Sequence, residues 1–136
     1  MMGRRHIRAF LNNAQNFRLY IADQSIDAFK KIETEFSEKE RESLVLINPD
    51  QIESIKEKID GAVIATSAEN RFSILDRLVK TGIKNFLIEK PVEQSLAGFY
   101  NSVELLKKNN AKAFVNFNKR AFDCYEELTG IIASAP

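Results

Sequence analysis

Cysteine is almost missing from this chain. Cys124 stands alone, so no internal disulfide can form, a usage that fits a reducing cytoplasm. Histidine is as scarce, with His6 the only one, and no cluster of His, Cys, Asp and Glu has metal-ligand spacing. Nor is there an excess of either charge. Lys and Arg number 20 against 19 Asp and Glu, a net charge of +1. The chain lacks the basic surplus of a nucleic-acid binder and the acidic surplus that draws cationic partners. No apolar run approaches the roughly 18 residues of a membrane helix. The N-terminal MMGRRHIRAF carries basic residues but no apolar stretch long enough for a signal peptide. No internal repeat and no low-complexity segment interrupts it. No Ser-His-Asp or Cys-His set for nucleophilic catalysis is readable. No metal, nucleic acid or membrane is therefore expected as a partner.

What is present is a regular alternation. The 136 residues suffice for one ordinary domain, and 44% are hydrophobic, enough for a packed core. Four-residue apolar runs stand at Leu19–Ala22, Leu44–Ile47 and Ala62–Ala65, followed by Phe86–Ile88 and Ala113–Phe117. These predict strands. Helices are predicted between them from apolar residues at helical spacing. The first runs from Arg4 to Asn13. The second is capped by Ser25 and presents Ile26, Phe29, Ile32 and Phe36. Asp50 with Glu53 suggests a capping box for a short third helix. Phe72, Leu75, Leu78 and Val79 mark another, ended by Gly82. Leu96, Phe99, Val103 and Leu106 mark the next, closed by Asn109-Asn110, and 125–132 reads as a last helix.

The strands are continuously apolar. That predicts burial on both faces, as in a parallel sheet covered by helices, so the fold class is α/β, doubly wound. The ten Phe residues are expected in this packing and not as base-stacking platforms. In such folds ligands bind beyond the carboxyl ends of the strands. Those ends carry Asp23, Thr66-Ser67, Glu89-Lys90-Pro91 and Asn118.

Taken together, MGRRHIRAF, IAD, DGAVIATSAENR, NFLIEKP and VNFNKR resemble the glucose–fructose oxidoreductase and inositol dehydrogenase family (Gfo/Idh/MocA) over nearly the whole chain. The resemblance implies a Rossmann-like domain that binds NAD, with NADP the weaker alternative, and hydride transfer on a sugar or sugar-derivative alcohol or carbonyl. Family members begin with a strand and a G-x-G-x-x-G turn. Only its last glycine, Gly3, stands here, after Met1-Met2. The implied domain is residues 1–120, lacking the first strand. Residues 121–136 would open the helix leading to a second, substrate-shaping domain that the chain does not contain. An incomplete sheet of this kind is expected to form a homo-oligomer.

Gly3 would let a pyrophosphate approach the N-terminus of the first helix, where free N–H groups favour anions; otherwise it is an arbitrary glycine near a start methionine. Asp23 follows Gly3 by 20 positions, where the dinucleotide fingerprint places its ribose-binding acid. A carboxylate there accepts from ribose hydroxyls and repels a 2′-phosphate; a turn-forming Asp is the plainer reading. Arg4 and Arg5 could reach phosphates or form a solvated first turn. The resemblance puts Thr66 and Ser67 along the cofactor, although Ser67 could equally cap a helix. Relatives often have Pro at Ser67 and His at Arg71.

The resemblance makes Lys90 the catalytic residue. Its ammonium would stabilise alkoxide charge during hydride transfer, with burial lowering its pKa. Pro91 would fix the turn, and Glu89 would orient the lysine or sit under the nicotinamide ring. Asn118 would lie near the nicotinamide, and Arg120 would begin the crossing to the second domain. His6 is expected to be structural and not a general base. Two other classes remain. One is a dinucleotide- or partner-binding module without turnover. The other is a receiver-type signalling domain, which would need an acidic cluster and a phospho-acceptor Asp that are not visible.

Overall fold

In the computed structural model, which describes residues 2–117, the apolar runs form parallel strands in two sheets. Chain order is α1 (Met2–Asn13), β1 (Leu19–Ala22), α2 (Ile26–Glu35), α3 (Glu38–Arg41), β2 (Leu44–Ile47), β3 (Ala62–Ile64), α4 (Arg71–Lys80), β4 (Asn85–Glu89), α5 (Leu96–Lys108) and β5 (Lys112–Asn116). A 3₁₀ turn at Pro49–Ser54 follows β2. Asn118, Arg120, Cys124, the expected boundary at residue 120 and the expected helix 125–132 lie outside the described residues.

One sheet pairs β1 with β2 and the other runs β3-β4-β5, every pairing parallel. Right-handed crossover of each strand through a helix to its parallel neighbour is what so short a β-α-β spacing allows. Each sheet has its own core. Ile7 of α1, Ile32 and Phe36 pack with Leu19, Ile21, Leu44 and Leu46 against the first. Ile64, Leu75, Leu78, Val79, Ile83, Phe86 and Ile88 fill the second. Among the described strands, nothing pairs with the second edge of β1 or of β3. Among the described residues, no helix is long and apolar enough to cross a membrane, and no cluster of His, Cys, Asp and Glu could hold a metal ion.

Local rules account for most of the boundaries. The Ser25 side chain accepts from the Ala28 N–H and starts α2. Gly82 sits at φ 92°, a left-handed stop that α4 needs and that glycine supplies without strain. Three expectations are corrected. The cap after β2 is made by Asn48 with Gln51, and not by Asp50 with Glu53. Asn48 Oδ1 accepts from the Asp50 N–H, and the Gln51 side chain accepts from the Asn48 N–H. With Pro49 at the first helical position, the cap stands two residues earlier than the acidic pair suggests.

The second correction concerns helix faces. Ile26 is 71% exposed, because α2 buries Ala28, Ile32 and the following Phe36. Leu96 and Phe99 are likewise exposed, while Leu105 and Leu106 reach the core from the far end of α5. Third, the strands are not all buried on both faces. β5 pairs only with β4, and its Phe114 is 72% exposed, so not every Phe is a core residue.

Candidate functional site

Parallel register decides which residues share an edge. Ile64, Ile88 and Val115 stand side by side across β3, β4 and β5, and Glu89 stands beside Asn116. The turn after β3, the Glu89-Lys90-Pro91 turn and Asn116 therefore leave the sheet at one end. In the other sheet Ala22 aligns with Ile47, and Asp23 follows at the carboxyl end of β1.

A buried carboxylate joins the two halves. Glu89 is 5% exposed, and its Oε1 accepts from Asn116 Nδ2 at 2.6 Å and meets His6 Nε2 at 2.7 Å. Burial by itself would raise the Glu89 pKa. The hydrogen bonds from Asn116 and His6, the charge of His6 and the Lys90 backbone N–H outweigh it, so the carboxyl is held below its ordinary value. An ionised carboxylate only accepts, so His6 presents Nε2–H to it. His6 thereby fixes the start of α1 against the end of β4. Gly3 lies three residues before His6, about 4.5 Å along the helix axis. A Cβ built on Gly3 would meet nothing within 4 Å, so no neighbour in the fold demands glycine there.

The residue that organises the turns is Arg71, the first residue of α4. It is 2% exposed. Its Nη1 donates to the carbonyl oxygens of Glu89 and Pro91, and its Nη2 donates to that of Thr66. Burial lowers its pKa, with the charges of Glu93 and Glu89 acting against that. One guanidinium therefore ties the turn after β3 to the turn after β4.

Lys90 itself is exposed, contrary to the expected burial, and its ammonium has no hydrogen-bond or ion-pair partner among the described residues. It follows the last strand residue, where no described segment covers it. The Lys90–Pro91 peptide is cis. Thr66 is exposed and its hydroxyl donates to the Ser67 carbonyl. Ser67 does not cap α4. That position is Asn70, in a left-handed conformation at φ 58°, with no side-chain capping bond. Asp23 Oδ1 accepts from the Ser25 N–H at 2.8 Å, so one oxygen serves the turn and leaves the other available. Arg4 pairs with Glu35 and Arg8 with Glu40, whereas Arg5 is exposed and makes no ion pair among the described residues. A concavity of about 420 Å³ lined by Arg4, Arg5, Arg8 and Glu35 opens beside α1. Asn118 is outside the described residues.

Glycine at the open first turn of α1, a half-free carboxylate after β1 and polar turns after β3 and β4 form a donor set suited to a dinucleotide. Sequence reasoning noted Arg71 only as a departure from the family pattern, gave it no role, and did not name Asn116. A signal existed for Arg71. It lies four residues before Leu75 and continues the buried stripe Leu75, Leu78, Val79, so its position predicted burial for a charged residue.

A family model described as an oxidoreductase family with an NAD-binding Rossmann fold matches residues 1–117. Solved structures share the fold. A putative myo-inositol dehydrogenase from Sinorhizobium meliloti 1021 superposes with a TM-score of 0.77 at 22% identity, covering 97% of this chain and 38% of its own. Myo-inositol 2-dehydrogenase from Lactobacillus plantarum gives 0.75 at 19%, covering 97% and 38%. The WlbA dehydrogenase from Bordetella pertussis, in complex with NADH and UDP-GlcNAcA, gives 0.80 at 15%, covering 97% and 39%. The chain thus spans under half the length of these proteins. No curated protein sequence matches it.

Proposed function

The chain belongs to the Gfo/Idh/MocA family of oxidoreductases, and from that premise we propose that it is the dinucleotide-binding part of an enzyme moving a hydride between NAD and a sugar or sugar-derivative alcohol or carbonyl. Residues 1–120 are the proposed cofactor domain, with the substrate pocket completed by a further region. The single cysteine supports a cytoplasmic setting. The observation that carries the reading is the convergence of three segments at one end of the fold. The first turns of α1, the turn after β3 and the Glu89-Lys90-Pro91 turn are joined there by His6–Glu89 and by Arg71.

The residue roles follow from chemistry. Gly3 and the free N–H groups of α1 hold the pyrophosphate, with Arg5 near it. Asp23 accepts from the adenosine ribose hydroxyls. Thr66, Ser67, Glu89, Pro91 and Asn118 line the nicotinamide half. The nicotinamide, when bound, supplies or takes the hydride. Lys90 donates to the substrate oxygen and stabilises the negative charge that grows on it.

Calorimetric titration of NADH and NADPH into the chain tests the reading. NADH is expected to bind tighter by about tenfold or more, because Asp23 would face the 2′-phosphate with like charge. Tighter NADPH binding would sink the Asp23 assignment, and heat from neither would reject the dinucleotide reading. Binding without turnover in the complete enzyme would favour a non-catalytic module.

Assembly is the second part of the proposal. Strand edges with free N–H and C=O groups pair with other chains, and β1 and β3 each present one. The chain is expected to sediment as a dimer or larger at micromolar concentration. A concentration-independent monomer would reject self-association.

A further inference from the structure

We propose that Arg71 is the positioning residue for Lys90, holding the lysine in place through its backbone, an inference that rests on Lys90 being the group that meets substrate. The Lys90 ammonium has no side-chain partner among the described residues, so the peptide frame alone decides where its side chain begins. That frame is gripped on both sides. The carbonyls of Glu89 and Pro91 flank the Lys90–Pro91 unit, and both accept from the same nitrogen, Arg71 Nη1. The other terminal nitrogen takes the Thr66 carbonyl, so the turn after β3 is fixed by the same plane. Arg71 is itself immobilised. It is 2% exposed and opens α4, whose next turn places Leu75, 1% exposed, in the core.

The residue type matters. A guanidinium is a rigid planar fork whose donors point to several acceptors at once. A lysine ammonium keeps the charge but gathers its donors on one atom, which cannot reach carbonyls from two separate turns. An imidazolium offers one N–H per nitrogen and cannot serve three acceptors. Burying a guanidinium with no carboxylate in direct contact is costly. Three carbonyls at the converging turns accept from it and offset that cost.

The test uses the full chain in two arms. In the first, carbon-13 NMR follows the carbonyls of Thr66, Glu89 and Pro91, while mass spectrometry follows the acetylation rate of Lys90 relative to the other lysines. Arg71→Lys is expected to keep the circular dichroism of the wild type, to shift those three carbonyls and to change Lys90 reactivity alone among the lysines. For Arg71→Ala, millimolar guanidinium chloride is expected to restore both signals, which a purely structural role would not allow. Should Arg71→Ala not fold, Arg71→Lys carries the arm by itself. Unmoved carbonyls or unchanged Lys90 reactivity in Arg71→Lys would overturn the proposal, as would failure of guanidinium to restore a folded Arg71→Ala.

In the second arm, NADH titration of Arg71→Lys is expected to show about tenfold weaker binding, from loss of charged hydrogen bonds to the turns that face the cofactor. Absence of NADH binding by the wild type would reject the cofactor reading and leave the clamp to be judged by the first arm. Wild-type affinity in Arg71→Lys, with shifted carbonyls, would overturn the link between clamp and site.

Discussion

Lys90→Ala, made in the oxidoreductase proposed above, is expected to lower kcat by about 10²–10⁴ while leaving NADH affinity within about threefold. The asymmetry follows from when the ammonium interacts. Alkoxide charge exists mainly in the transition state, so a donor aimed at that oxygen contributes there and little in the ground state. Its free ammonium, without an ion-pair partner among the described residues, is available to a substrate oxygen. Glu89, one residue earlier, makes no ion pair with it; its carboxylate meets His6 and Asn116 instead. Lys90→Arg should recover little, because a guanidinium is longer and spreads its charge. Steady-state kinetics at saturating cofactor gives the measurement. Turnover near wild type, or a loss confined to cofactor KM, would remove Lys90 from the chemistry.

The frame of this site is legible in the sequence because it depends on local rules. Short apolar runs separated by helical spacing, with Ser25 and Gly82 as punctuation, are enough to place the five strands and most helices. The ends of those strands then name Asp23, Thr66, Ser67 and the Glu89-Lys90-Pro91 turn without further information. What is not legible depends on partners distant in sequence. His6 and Glu89 are separated by 83 positions and Arg71 and Pro91 by 20. Nothing local to His6 says that its imidazole closes on a carboxylate from the other sheet. Arg71 reads as a departure from its relatives until three carbonyls are seen around it.

Helix faces illustrate the same limit. The apolar stripe of α2 includes Ile26 and Phe29, but the one surface it packs on selects Ala28 and Ile32. A stripe wider than its partner leaves an edge residue in solvent, and periodicity alone does not say which one. In α5 the stripe starts at Leu96, yet burial begins at Ser102, and the apolar residues that reach the core are Leu105 and Leu106.

Leu75→Ala is expected to cost about 2–5 kcal/mol of folding free energy, enough to leave a domain of this size partly unfolded at 37 °C. Leu75 is 1% exposed and lies within the cluster that includes Ile64, Val79, Phe86 and Ile88, so it joins α4 to β3 and β4 at once. Removing its branched end deletes apolar burial and leaves a void that the strands, pinned by their parallel register, fill only in part. The apolar lining offers a water no partners, so the void stays empty. Because Arg71 sits one helical turn earlier, loosening α4 should also release its hold on the Thr66, Glu89 and Pro91 carbonyls. Cofactor binding is then expected to fall below the level that the unfolded fraction alone explains. Ile26→Ala is the matched control. At 71% exposure it removes an apolar residue of similar size from a helix, and it should change stability by no more than about 0.5 kcal/mol. Urea titration followed by circular dichroism, with NADH affinity measured on the folded fraction, separates the effects. A loss below about 1 kcal/mol for Leu75→Ala would mean that α4 is not the keystone of the second core.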